Sequence, residues 1–216
     1  MSRSGIFSAI RSIPADQGHS IFFYYFGHGY YNASRGGSLL APVSVGTDYI
    51  RLSEIRTRLL ERAPKLLVTV NDSCSTLPPA PESGVEATGE ILENTPVGQA
   101  LFFEASGRFH LNSSAPNQYA LAGRWNFDGN GNYLTGSPFS AAFSNTLYAL
   151  DDRFSSHPAA VDWKMATRMI HTDVDKIYRQ CIPDGQLRLR SGKVVSQSTQ
   201  TVRGFHNGRL FIGGEY

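Results

Sequence analysis

Hydrophobic and polar positions follow two different periods along this chain. Ile6, Ile10 and Ile13 recur at helical spacing, which predicts a short amphipathic helix over residues 4–13, ended by Asp16-Gln17-Gly18. Ile21-Phe22-Phe23-Tyr24-Tyr25-Phe26 follows, an unbroken apolar and aromatic run with glycine on either side. Such a run predicts a strand buried on both faces, stopping at Gly27-His28-Gly29. A short strand is expected at Ser38–Pro42, after Arg35-Gly36-Gly37. Ile50, Ile55, Leu59 and Leu60, set among Arg and Glu, predict an amphipathic helix over 50–62, closed off by Pro64. Lys65–Val70 reads as a second buried strand, and it stops at Asn71-Asp72-Ser73-Cys74.

Residues 75–93 are rich in proline and glutamate and poor in large apolar groups, so Ser75–Glu93 is expected to be a mobile loop. A helix over Thr95–Ser106, a third strand over Arg108–Ser113 and helices over 137–152 and 161–181 complete the pattern. The last thirty-five residues read as polar and strand-poor, and no internal repeat is present. Strands alternating with helices imply an α/β fold: a mostly parallel sheet with helices on both faces. Reactive groups in such sheets lie beyond the carboxyl ends of the strands. Two successive buried strands end at His28 and at Cys74.

Composition narrows the function classes. The chain has 216 residues, 41% of them hydrophobic, which suits one globular domain with a sizeable core. With 20 Lys+Arg against 18 Asp+Glu the net charge is +2, so no nucleic-acid footprint is indicated. Arg188, Arg190 and Lys193 read as a solvated face. No run of eighteen apolar residues exists, so no membrane span is expected. Two cysteines cannot make a disulfide framework, and Met1–Gly5 does not lead into a long apolar signal region. A reducing compartment, and hence a cytoplasmic location, is the expectation.

A cysteine beside a histidine can carry acyl transfer. The thiolate is the nucleophile, and the imidazole takes the thiol proton and later gives it to the leaving amine. The oxyanion formed on the way needs hydrogen-bond donors. Gly29, next to His28, permits close backbone approach, so the N–H groups of Gly29 and Cys74 are the expected donors. Asp72 precedes Cys74 by two residues, on the same side of an extended strand end. Either residue alone is more often structural, since a lone buried Cys behaves as a small hydrophobe. Their shared position at strand ends makes the pair informative.

Phe22-Phe23-Tyr24-Tyr25-Phe26-Gly27-His28-Gly29 resembles the histidine-bearing strand of metacaspases and bacterial caspase-like proteins. Leu66–Cys74 is similar to their second strand, which ends Asp-x-Cys. Gly37–Val43 and Leu52–Ile55 resemble the connecting segment, Gly107–Ala120 the next strand and loop, and Gly136–Phe143 a helix start. The resemblance runs from about residue 5 to about residue 204. It implies a caspase-like peptidase domain over residues 1–204, with 205–216 as a C-terminal tail. It also implies a cysteine endopeptidase acting through a His28/Cys74 dyad on a polypeptide substrate. Asp72 would be the substrate contact for Arg or Lys at the cleaved position. The alternative is a catalytically inactive caspase-like scaffold or regulatory module.

Departures from the family pattern favour that alternative. Phe26 stands where the family has Ser, and Cys74-Ser75-Thr76-Leu77 replaces Cys-His-Ser-Gly. The region matching a second acidic residue, Gln118–Gly123, holds no acid. The family opens with a strand, a helix and a strand that have no counterpart here, so the fold is expected to be N-terminally incomplete. The outer edge of the Ile21–Phe26 strand should then be bare, and self-association or a partner chain is expected there. No cofactor is expected and no metal. Asp128-x-Asn130-x-Asn132 opens like a calcium loop, but its sixth position is Tyr133 and its twelfth Phe139. His110, His157, His171 and His206 lack ligand spacing, and Cys181 is expected to be a spectator.

Overall fold

The computed structural model describes residues 2–35, 37–41, 49–74, 95–126, 133–189 and 192–213. The expected Ser75–Glu93 loop and the Asp128–Asn132 turn lie outside them.

Helix α1 (Arg3–Ser12) starts where the Ser2 hydroxyl accepts from the Gly5 N–H, and it buries Ile6, Phe7 and Ile10. Strand β1 (Ser20–Phe26) leads through Gly27-His28 into a small antiparallel sheet of β2 (Gly29–Asn32), β3 (Gly37–Leu40) and β4 (Ile50–Arg51). Helix α2 (Leu52–Leu60) buries Leu52, Ile55 and Leu59 and returns the chain to β5 (Leu66–Asp72). Next come α3 (Pro96–Gln99), capped by Thr95 and extended by a π-helical turn over Ala100–Glu104, and strand β6 (Gly107–Asn112). A hairpin of β7 (Gly123–Asn126) and β8 (Tyr133–Gly136) precedes the two long helices α4 (Pro138–Phe154) and α5 (Trp163–Cys181). The chain closes with two more hairpins, β9 (Gln186–Arg188) with β10 (Val194–Ser196) and β11 (Arg203–His206) with β12 (Arg209–Ile212).

The central sheet has the order β1-β5-β6-β11-β12. Its three long strands β1, β5 and β6 run parallel, and β11 and β12 add an antiparallel edge. Strand alternation sorts the side chains onto two faces. Leu66, Val68, Val70, Phe109 and Leu111 pack against α4 and α5, around Phe139, Trp163, Ile170 and Val174. Ile21 and Leu67 face α1 and α2, around Ile10, Ile55 and Leu59. The fold is α/β with helices on both faces, as expected.

Three expectations are corrected. The aromatic run of β1 is not buried on both faces: Phe22 is 41% exposed and only Ile21 is fully buried. Among the described residues β1 pairs with β5 alone, so it stands at an edge and its outer side is half-wet. All seven residues of β5, by contrast, are buried. The C-terminal segment is not strand-poor. Its strands are only three or four residues long and mix polar with apolar residues, so no run betrayed them. The boundary expected at residue 204 falls inside β11, and residues up to Ile212 belong to the central sheet rather than to a tail.

Candidate active site

Parallel pairing fixes the height of the two strand ends. β1 and β5 run in register from Ser20↔Leu66 to Phe26↔Asp72. The ladder continues one step, with Gly27 N–H donating to the Asp72 carbonyl at 3.2 Å. His28 and Cys74 each lie two residues beyond the last paired positions, at matching places past the carboxyl ends of adjacent strands. Both are half-buried.

Local hydrogen bonds hold both segments. The His28 carbonyl accepts from the Tyr25 hydroxyl at 2.7 Å and from the Ala41 N–H at 2.9 Å. Burial pushes the Tyr25 hydroxyl up to about 12, so it stays a donor at physiological pH. On the other strand the Ser73 carbonyl accepts from Ser114 Oγ at 3.0 Å and Ser113 Oγ at 3.4 Å, while Ser73 Oγ donates to Asn71 Oδ1 at 2.9 Å. A Cβ on Gly29 would collide with the Ser73 hydroxyl and lie 3.0 Å from the Leu39 carbonyl. The Gly29 backbone therefore lies directly against the Ser73 side chain, an approach that glycine at this position makes possible. The Cys74 thiol donates to the Ala120 carbonyl at 3.4 Å.

Asp72 is 1% exposed and sits among hydroxyl groups. Its Oδ2 accepts from Tyr24 at 3.2 Å, from Ser140 at 2.9 Å and from Ser137. Ser137 and Ser140 come from the start of α4, where the Ser137 hydroxyl also accepts from the Ser140 N–H at 2.8 Å. Burial raises the Asp72 carboxyl above the ordinary carboxylate range, and the hydroxyl hydrogen bonds oppose it. Its Oδ1 is buried and makes no hydrogen bond of good geometry among the described residues, although the Ser113 hydroxyl also helps to hold the carboxyl down. Burial of Tyr24 beside this carboxylate drives its hydroxyl far above its ordinary value.

The structure therefore brings His28, Gly29, Asp72 and Cys74 to one end of two adjacent strands. Sequence reasoning did not name Tyr24, Ser137 and Ser140 as neighbours of Asp72. The Ser137-Pro138 pair does carry a signal, because a serine followed by proline at the first helical position marks a helix start. Nothing in the sequence shows which strand end that helix start will meet. Cys181 lies far along the chain at the end of α5, and burial raises its thiol above the usual value, which keeps it protonated. Among the described residues no cluster of three His, Cys, Asp or Glu side chains could hold a metal ion, and no helix is long and apolar enough to cross a membrane.

No family model matches the chain, and no curated protein matches it in sequence. Among solved structures it is similar to the crystal structure of caspase-1 from Spodoptera frugiperda, at 14% identity and a TM-score of 0.52. That match covers 100% of this chain and 72% of the other. At this identity the likeness is one of fold, and the fold is caspase-like.

Proposed function

We propose that the chain is a cysteine endopeptidase of the metacaspase and bacterial caspase-like type, working through a His28/Cys74 dyad. The observation that carries this reading is the β1–β5 register, which sets His28 and Cys74 at matching heights past adjacent parallel strands of a caspase-like sheet. In the reaction the Cys74 sulfur attacks the scissile carbonyl carbon while His28 takes the thiol proton. The N–H groups of Gly29 and Cys74 receive the oxyanion. His28 then returns the proton to the departing amine, leaving a thioester on Cys74. Water, deprotonated by His28, hydrolyses that thioester and frees the acid and the thiol.

Asp72 supplies the specificity. A buried carboxylate oxygen without a partner is costly, and Oδ1 is such an atom. A guanidinium or ammonium from the substrate would satisfy it through a charge-assisted hydrogen bond. Cleavage after Arg or Lys is the expected preference. A panel of fluorogenic peptides differing only at the cleaved position tests both parts. Arg and Lys peptides should turn over, Asp peptides should not, and Asp72→Ala should remove the preference. His28→Ala should slow turnover by about 10²–10⁴-fold. Preference for Asp, or full activity in Cys74→Ala, would overturn the reading.

One observation favours a second reading, a catalytically silent caspase-like module. The Cys74 thiol donates to the Ala120 carbonyl, so a backbone acceptor engages the nucleophile's proton in this arrangement. A folded chain inert toward every peptide in the panel would support the silent module.

A further inference from the structure

On the α2 side of the central sheet, away from the side that buries Asp72, two cross-strand rows are polar at every position but Phe205. Thr69, His110 and Phe205 are paired across β5, β6 and β11, and Asn71, Asn112 and Arg203 are paired one step further along. Over these rows the sheet and α2 leave a cavity of about 240 Å³. Its lining includes Arg56, Arg203, Asn112, Ser38 and Tyr31, and no acidic side chain among the described residues.

The two arginines lack counter-ions among the described residues. Arg56 Nε donates to Thr69 Oγ1 at 3.2 Å, but its buried Nη2 has no partner. The Arg203 guanidinium lies 5.3 Å from the Phe205 ring centroid, and its buried Nε also has no partner. His110 beneath them adds no negative charge: burial and the neighbouring Arg56 push its imidazole down to about 3, so it is neutral. Burial without a carboxylate likewise lowers Arg56 to about 10, where it remains charged at neutral pH. Two half-buried guanidinium groups lining one cavity without an acid are costly unless an anion joins them. Asn112 also lines the cavity, and its buried Oδ1 has no partner.

We propose that this cavity is a phosphate-binding site, formed by Arg56 and Arg203 and distinct from the His28/Cys74 dyad. Guanidinium groups match the geometry of an oxyanion, and the side chains of Arg56 and Arg203 both line the cavity. Inorganic phosphate, which keeps a P–OH at neutral pH, can also donate toward Asn112 Oδ1, which neither a carboxylate nor a monoester dianion can do. The shared chemistry covers free inorganic phosphate and a small phosphate monoester. The proposal does not rest on peptidase activity.

Calorimetric titration of the full 216-residue chain, at neutral pH and constant ionic strength set with chloride, tests it. Inorganic phosphate should bind saturably at one site, and acetate more weakly. Arg56→Gln and Arg203→Gln should each weaken phosphate binding by about tenfold to a hundredfold, the loss of one buried charge-assisted hydrogen bond. If either variant fails to fold, Ser38→Glu serves instead. It places a carboxylate in the cavity, and should raise the melting temperature and abolish phosphate binding. Tighter binding of glycerol 3-phosphate than of inorganic phosphate assigns the site to a monoester, and the reverse assigns it to the free ion. No saturable phosphate binding, acetate binding as tight as phosphate, or phosphate binding unchanged in the folded variants would overturn the proposal.

Discussion

The two faces of the central sheet are made by the same strands and differ in what they bury. Toward α4 and α5, Leu66, Val68, Val70, Phe109 and Leu111 meet an apolar surface centred on the fully buried Trp163. Phe102, Phe109 and Phe143 surround that indole, with the nearest ring centroid at 5.2 Å, and its N–H donates to the Leu101 carbonyl at 2.8 Å. At the strand end this face turns polar, where Asp72 lies among hydroxyls. Toward α2 the apolar packing covers Ile21 and Leu67, then gives way to Thr69, Asn71, His110 and Asn112, all buried. One face therefore contributes mainly hydrophobic stability. The other carries a buried polar layer, whose hydrogen bonds specify geometry at the cost of desolvation.

The largest effect should come from breaking the apolar face. Trp163→Ala removes the central side chain and its hydrogen bond, and should cost about 3–5 kcal/mol. Chemical denaturation would measure it. A loss below about 1 kcal/mol would mean that the α4/α5 face is not the main core.

The polar face should respond to pH instead. His110 is bonded through Nδ1 to Thr69 Oγ1 at 2.7 Å, and burial, Arg56 and Arg108 hold its imidazole down to about 3. The unfolded chain binds this proton near pH 6.5 and the folded chain does not. Stability from this group is therefore full above about pH 6.5 and falls as pH drops toward 3, by at most about 5 kcal/mol. His110→Gln should flatten that part of the stability–pH curve. An unchanged curve would show that His110 titrates normally in the folded protein.

Much of this architecture was legible in the sequence, and the failures have physical causes. The long parallel strands announced themselves because β5 is apolar at every position of Leu66–Val70 except Thr69. The amphipathic stripe of α2 and the Ser137-Pro138 start of α4 are local signals, and both were readable. The aromatic run of β1 misled, because aromatic residues tolerate half-exposure at an edge and a single run cannot reveal how many neighbours a strand has. β11 and β12 were missed because four-residue strands draw their stability from neighbours rather than from their own pattern. The strand ends at His28 and Cys74 were found by their punctuation. The serine hydroxyls around Asp72 were not, since they arrive from the start of α4, more than sixty residues away in sequence.

A smaller effect concerns the edge that separates β1 from β5 in burial. Phe22 is 41% exposed, and no described strand covers the outer side of β1. An uncovered aromatic edge invites pairing, so the 216-residue chain should self-associate. Sedimentation should show species heavier than 23.7 kDa as concentration rises. A monomer at every concentration would mean that the edge is covered in some other way.

Covalent capture tests the central claim most directly. A thiol-reactive peptide carrying Arg at its cleavage position, added to the folded chain, should leave one label on Cys74 and none on Cys181. Mapping by mass spectrometry should find the label absent in Cys74→Ala and its formation at least about a hundredfold slower in His28→Ala. Labelling of Cys74 at an unchanged rate without His28, or no labelling of the folded chain at all, would contradict the dyad.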